Sequence, residues 1–443
     1  MRIGLIAMSG VRAYNKELTQ LGLTLPGFIE RNKVIASLPS LSLITLAALT
    51  PSDFDIQYIE ISDIKELNDL PGPYDLVAIS TYSAQIFEAY ELAARYSKQS
   101  VKTVIGGPHV TKVPEEAKKH CTSVVIGEGE PVWKDILKDL KNEQLKPYYT
   151  SFDKNFDLKD SPMPRFNLLN PEKYNRLTIQ TSRGCPHRCD FCAASILISN
   201  KYKQKPADKV LAEIREIKKI WQHPFIEFAD DNTFVNKAYW KTLLEELTKE
   251  RIKWFTETDI SVADDSTLLT LMRKSGCQQV LIGLESSTDK DLNGMELTSN
   301  WKSKQFKKYK QSINKIQSHG ITVNGCFILG LDSQDKSIFN NIFEFVKDSG
   351  LYEVQITILT AFPGTPLYKR LKHENRIIKD GDWEKCTLFD VNYHPKNMTK
   401  EELETGFRDL AEKLYSKKFT EYRRSNYKKN LKKYLKTKLT STK

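Results

Sequence analysis

The chain has 443 residues, more than one ordinary core holds, so two or three domains are expected. Its composition is that of a soluble globular protein, and its longest apolar stretch, Leu38 to Leu49, is broken by Pro39, Ser40 and Ser42 and is too short to span a bilayer. The net charge of +11 is lopsided: residues 415–443 hold eleven Lys or Arg and one acid, Glu421, which leaves the body nearly neutral.

No basic-then-apolar leader opens the chain; strand-like Ile3–Met8 does. Seven cysteines, three of them clustered, do not read as a disulfide framework, and a reducing cytoplasm fits best. The first ~150 residues alternate short apolar runs with helical patterns, the signature of a parallel α/β layer. Strands are expected at 3–8, 55–61, 76–81, 103–105 and 123–126, and helices at 42–49, 85–97, 115–120 and 131–140. Ser80, Thr81, Gly106 and Gly107 fall where strands turn into helices, the ends at which such sheets bind ligands. The glycines equally serve tight turns. Residues 148–172 are polar, carry Pro162, Pro164 and Pro171, and read as a linker.

A second α/β series starts at Leu177. Its strands are expected at 177–181, 225–229, 254–258, 279–284, 322–329 and 353–360. Six strand–helix units with right-handed connections build an open partial barrel, with chemistry at the carboxyl ends of the strands. The first of those ends runs Thr181-Ser-Arg-Gly-Cys-Pro-His-Arg-Cys-Asp-Phe-Cys192. Cys185, Cys189 and Cys192 are spaced C-x3-C-x2-C with no fourth cysteine nearby. Three thiolates on a [4Fe-4S] cluster leave one iron open to a ligand that is not protein. With His187 the same set makes a legal tetrahedral zinc site, and plain buried thiols are the third possibility. The barrel-mouth position favours the cluster.

The next strand end carries Asp230 and Asp231, adjacent carboxylates that repel and call for cationic partners; Asp231 or Asn232 as a helix N-cap is the structural alternative. Glu285, at the fourth strand end, suits ribose hydroxyls or a barrel-mouth ion pair. Ile328 and Leu329, on the fifth strand, are candidates for an apolar slot holding a flat purine, although core packing is the commoner fate of such residues. Cys121, Cys277, Cys326 and Cys386 are isolated and read as small buried hydrophobes.

The cysteine spacing, with Phe191 just before the third cysteine, resembles the signature of the radical SAM enzymes. Together with Leu38-Pro-Ser-Leu-Ser-Leu, Ile105-Gly-Gly-Pro-His-Val-Thr, Gly127-Glu-Gly-Glu130 and Ser161-Pro-Met-Pro-Arg-Phe, it resembles the cobalamin-binding class of methylases and cyclases over roughly residues 1–415. The resemblance implies a [4Fe-4S] cluster that gives one electron to S-adenosylmethionine (SAM) and releases a 5′-deoxyadenosyl radical. It implies SAM contacts at Phe191, Asp230, Asp231, Glu285, Ile328 and Leu329, and a cobalamin tail near Ser80, Thr81, Gly106 and Gly107. It implies methylation of an unactivated carbon, or a radical cyclisation, oxidation or rearrangement without methyl transfer, and a flavodoxin- or ferredoxin-type electron donor. Asp-x-His-x-x-Gly, which supplies a cobalt ligand in many cobalamin proteins, is absent, since the first histidine is His109.

The expected organisation is therefore a flavodoxin-like, Rossmann-like domain of the cobalamin-binding type (1–147), a linker (148–172), a partial (β/α)6 TIM-like barrel (173–370) and a C-terminal extension with a helical basic tail (371–443). In that tail Tyr422, Tyr427, Leu431, Tyr434 and Leu435 interleave with the cations. It reads either as a surface for nucleic acid, anionic lipid or a partner, or as a terminal helix whose apolar stripe docks on the body; the second reading is preferred. A zinc-stabilised protein that binds nucleic acid or membrane through the tail is the alternative from outside enzymology. The loops over the barrel mouth carry no pattern that names a substrate.

Overall fold

Six strands form the first sheet: β1 (Arg2–Met8), β2 (Asp55–Ile61), β3 (Leu76–Ser80), β4 (Lys102–Gly106), β5 (Ser123–Ile126) and β6 (Tyr148–Thr150). They are parallel, in the order β2-β1-β3-β4-β5-β6. The computed structural model from which this is read describes residues 1–10, 13–20, 38–194 and 201–441. The central strands are continuous apolar runs because helices cover both faces. Ile3, Leu5, Leu76, Ala78 and Val104 point to the side of Trp133 and Leu137, while Ile6, Met8, Val77, Ile79 and Ile105 point to that of Tyr90 and Tyr96. The strand order reverses beside β1, and the Ala7–Ser80 pairing puts Ser80 at that switch point, where doubly wound sheets open a crevice. Strand β6 lies inside the stretch read as linker. Three residues with no alternation are too short to signal a strand, and the Val124–Tyr148 pairing alone makes them one.

The second sheet uses β7 (Leu177–Ile179), then, beyond the two-stranded ribbon β8 (Ser182–Arg183) and β9 (Lys203–Gln204), β10 (Phe225–Phe228), β11 (Lys253–Thr258), β12 (Cys277–Glu285), β13 (Thr322–Leu329) and β14 (Glu353–Ile358). Its order follows the sequence, β7 to β14, all parallel, and among the described residues its two outer strands do not pair. The expected open six-stranded barrel is the observed one. Trp254 faces its helices and meets Phe228 and Trp240 edge-on and stacked, so alternate residues, Phe255 and Glu257, face the concave side.

The open edge of β14 is covered by the C-terminal extension. Leu388 O accepts Ile358 N–H at 2.7 Å, and the Tyr415 hydroxyl accepts Ile356 N–H at 3.2 Å. Helix Lys400–Tyr415 starts on a capping box between Thr399 and Glu402. Helix Lys417–Ser441 docks through aromatic groups: Phe419 stacks on Phe343 and Tyr427 meets Tyr352 edge-on, at 4.8 and 5.1 Å between centroids. Arg423, 2% exposed, donates to Leu414 O and faces Glu353. Of the stripe read from sequence, Tyr427 docks in this way, whereas Tyr422, Tyr434 and Leu435 stay exposed; Phe419 and Arg423, outside that stripe, supply the rest of the contact. No helix among the described residues is long and apolar enough to cross a membrane.

Candidate functional site

The cysteine loop leaves β8 at the barrel mouth. Asp190 N–H bonds to Met295 O at 3.0 Å, Leu297 N–H to Arg188 O at 2.8 Å, and Leu367 N–H to Asp190 O at 3.0 Å, so the loop is pinned between the segments following β12 and β14. Cys189 is buried, and Cys185 and Cys192 are half-buried. Burial pushes the Cys185 thiol up to about 11 and raises Cys189 as well. Among the described residues no three His, Cys, Asp or Glu side chains close around a single metal ion. A cubane asks for something else, because each thiolate takes its own iron corner. His187 does not join the thiols. Its Nε2 lies 3.1 Å from Asp259 and its Nδ1 3.4 Å from Glu296, and its ring lies against Trp301. The imidazole is thus engaged away from the cysteines, and the tetrahedral set drawn from sequence is not assembled. Phe191, half-buried, packs on the barrel core.

Asp230 is 3% exposed and turned toward backbone. Its Oδ1 accepts Thr181 and Ser182 N–H at 2.7 and 2.9 Å, and its Oδ2 meets the Thr181 hydroxyl. Burial raises its pKa to about 6 against those hydrogen bonds. Asp231 accepts Gly184 N–H at 2.7 Å, directly ahead of Cys185, and burial raises it too. Both acids therefore brace the start of the cysteine loop. Neither is a helix N-cap; Asn232 holds the N-cap position before Thr233–Val235 but makes no side-chain cap bond, its amide bonding Asp259 instead.

Glu285 stands at the end of β12 in a left-handed conformation, φ 65°, and pairs with Lys302, whose ammonium also reaches Gly283 O at 3.2 Å. Burial opposes that ammonium, yet Glu285 and Cys189 hold it above its ordinary value. Of the two readings of Glu285, the barrel-mouth ion pair is the contact present. Leu329 is wholly buried and Ile328 nearly so, both within the barrel core. A cavity of about 240 Å³ opens one turn further on, between Asp190, Leu331, Leu359, Leu367 and Arg370. Its apolar walls come from the residues just past the strand ends. Sequence periodicity identifies the strand and cannot say where its buried part stops.

In the first domain Ser80 and Gly106 are register partners, so the four expected residues do come together. Thr81 is 1% exposed and its hydroxyl is spent on Tyr82 O. Gly107 has φ 134°, and a Cβ there would lie 2.3 Å from Thr81 O, so its lack of a side chain serves a backbone crossing. Ser80 and Gly106 keep accessible surface, and Tyr82 beside them leaves 59% of its surface open. A crevice of small residues next to an exposed ring fits a bulky planar group with a slender tail.

Two features were not singled out from sequence. Glu257 projects from β11 on the concave side with no hydrogen bond or ion pair among the described residues. The side chain keeps accessible surface at the barrel mouth, yet desolvation by the surrounding walls, then Glu227 and Asp231, raise its pKa to about 7. The other is a knot of four charges. Arg183 donates to Glu128 at 2.6 Å and Glu130 at 2.8 Å, and Lys203 reaches both oxygens of Glu128, at 2.9 and 2.7 Å. It joins the turn after β5 to the ribbon that carries the cysteine loop.

Compared with known proteins, residues 179–346 match the family model of the radical SAM superfamily and residues 48–137 that of the B12 binding domain; residues 365–442 match a domain of unknown function. The bacteriochlorophyllide d C-12(1)-methyltransferase of Chlorobaculum tepidum is 28% identical over 381 residues, covering 85% of this chain and 82% of that protein. The bacteriochlorophyllide d C-8(2)-methyltransferase of the same organism is 27% identical over 369 residues, 78% of each chain. In fold, the chain is similar to the radical S-adenosylmethionine methyltransferase TsrM of Kitasatospora setae, solved with cobalamin and a [4Fe-4S] cluster: TM-score 0.63 and 15% identity over 92% of this chain and 85% of that one.

Proposed function

The chain belongs to the radical SAM superfamily and carries a B12-binding domain ahead of its barrel, and on that premise we propose that it is a methyltransferase acting on an unactivated carbon. Its cofactors would be a [4Fe-4S] cluster on Cys185, Cys189 and Cys192, S-adenosylmethionine and cobalamin. Bound there, the cluster supplies the electron that splits SAM and the cobalamin carries the methyl group.

The protein's own part is to hold, orient and exclude water. Asp230 and Asp231 fix the backbone from Thr181 to Gly184, which sets where Cys185 stands. Glu285, oriented by Lys302, and the free carboxylate of Glu257 offer acceptors on the concave side of the barrel. Leu331, Leu359 and Leu367 offer the apolar wall assigned from sequence to Ile328 and Leu329. Ser80, Gly106, Gly107 and the open ring of Tyr82 line the crevice for the second cofactor. The observation that carries the reading is the direct junction of the two mouths through Glu128, Glu130 and Arg183, two residues before Cys185.

The test is anaerobic reconstitution with iron, sulfide and cobalamin. The reading expects about four irons per chain, bound cobalt, and both S-adenosylhomocysteine and 5′-deoxyadenosine from SAM under a strong reductant. Cys189→Ala should abolish cleavage while the chain stays folded. 5′-Deoxyadenosine without S-adenosylhomocysteine would turn the reading to cyclisation, oxidation or rearrangement. No cluster and intact SAM would overturn it.

A further inference from the structure

The ribbon that frames the cysteine loop carries a built-in conflict. In the antiparallel pairing of β8 and β9, Arg183 stands directly opposite Lys203, and the chain between them, residues 184–202, holds all three clustered cysteines. Like charges directly opposite one another on a ribbon are destabilising. Two strands of two residues each make a short ribbon; Lys205 N–H and Gln204 Nε2 both bond Thr181 O, at 2.7 and 2.8 Å, but neither bond offsets the facing cations.

The remedy comes from the other domain. Glu128, 8% exposed, accepts from both cations, and Glu130 takes the second arm of the Arg183 fork. Two further Arg183 donors go to Gln180, at 2.9 and 3.2 Å, so four of the five guanidinium N–H groups are engaged. The turn that presents these acids is itself tied to the crevice of the first sheet. The Thr111 hydroxyl donates to Gly107 O at 2.8 Å and accepts Gly127 N–H at 3.1 Å. Bonds therefore run from Gly107 through Thr111, Gly127–Glu128 and Arg183 to the residue before Cys185.

We infer that Glu128 is a positioning residue for the cysteine cluster: by neutralising Arg183 and Lys203 at once it lets the N-terminal domain clamp the ribbon shut and hold the three thiolates in a cluster-binding arrangement. The iron-sulfur part of this rests on the reading given under Proposed function. Groups bonded directly to metal ligands typically change metal affinity or activity by about 10–100-fold; Glu128 acts one step further out, through Arg183 and Lys203, so the low end of that range is expected.

The test uses the full chain, reconstituted anaerobically, and follows the rate at which a chelator strips its iron. Glu128→Gln should lose iron roughly tenfold faster than the wild type. Lys203→Gln added to that variant should recover much of the loss, because the repulsion across the ribbon is gone; a purely structural role for Glu128 gives no such rescue. In the cluster-free chain the amides of residues 184–194 should exchange faster in Glu128→Gln, which reports on the ribbon whether or not iron binds. Iron loss within twofold of wild type, or a double variant no slower than Glu128→Gln, overturns the inference. Unchanged amide exchange overturns it even if the wild type takes no cluster. Should Glu128→Gln fail to fold, Glu128→Asp, which keeps the charge but draws it back by one methylene from Arg183 and Lys203, takes its place with the same expectations.

Discussion

Asp230→Asn separates a ligand-holding acid from a structural one. In the wild type Oδ1 takes two backbone N–H groups and Oδ2 meets the Thr181 hydroxyl. A protonated carboxyl satisfies the same partners, and an asparagine amide copies that form, with its Oδ1 accepting and its NH2 donating. The ionised form is the costly one, since burial raises the pKa from 3.8 to about 6. Below about pH 4 folded and unfolded chains both hold the proton. Between there and about pH 6 the folded chain keeps a proton that the unfolded chain has lost, so stability falls as pH rises. At about 1.36 kcal/mol per pKa unit, that window is worth up to roughly 3 kcal/mol. Asp230→Asn should therefore match the wild type near pH 4 and exceed it by up to ~3 kcal/mol near pH 7.5. Asp230→Ala leaves two amides and a hydroxyl without a partner, at ~1–3 kcal/mol each, and should be destabilised at both. Urea unfolding of the cluster-free protein at the two pH values measures this, with equilibrium dialysis against SAM alongside. An asparagine variant of unchanged stability that no longer binds SAM would refute the reasoning and return Asp230 to the ligand.

Three further perturbations have defined outcomes. Gly107→Ala puts a methyl group 2.3 Å from Thr81 O at a φ of 134°; since the obstacle is backbone, about 2–4 kcal/mol of stability should be lost, read as a drop in Tm. Arg423→Ala leaves Glu353 buried with only Arg424 and should cost about 3 kcal/mol in chemical denaturation, whereas a tail that merely lies in solvent would show almost no change. Asp259 is held below its ordinary value: burial opposes this, and the bonds from His187, Ser261 and Asn232 prevail. Its contribution is present above about pH 4 and disappears as pH falls further, so Asp259→Asn should flatten the acid limb of the stability curve between about pH 4 and 2; an unchanged limb would count against the His187–Asp259 pairing.

The strands of both sheets were legible because buried parallel strands are continuous apolar runs between glycine-rich turns, and that signal is local. So was the cysteine trio, whose spacing and place directly after the first barrel strand are both local features. Strand β6 was missed because three residues carry no period, and Glu257 because a single polar residue in a strand looks the same whether it faces solvent or a barrel interior.

From the order of its residues, then, this chain determined its strand–helix alternation, the place of its cysteines after the first barrel strand, and a basic tail with an aromatic stripe. It did not determine what each acid holds. Asp230 holds the backbone of Thr181 and Ser182, Asp231 that of Gly184, Glu285 holds Lys302, and Glu128 holds Arg183 and Lys203 from another sheet. A carboxylate takes whichever donors folding brings within about 3 Å, and those donors lie 17 to 75 residues away along the chain. Partner choice is thus a property of three-dimensional proximity, which no local pattern encodes.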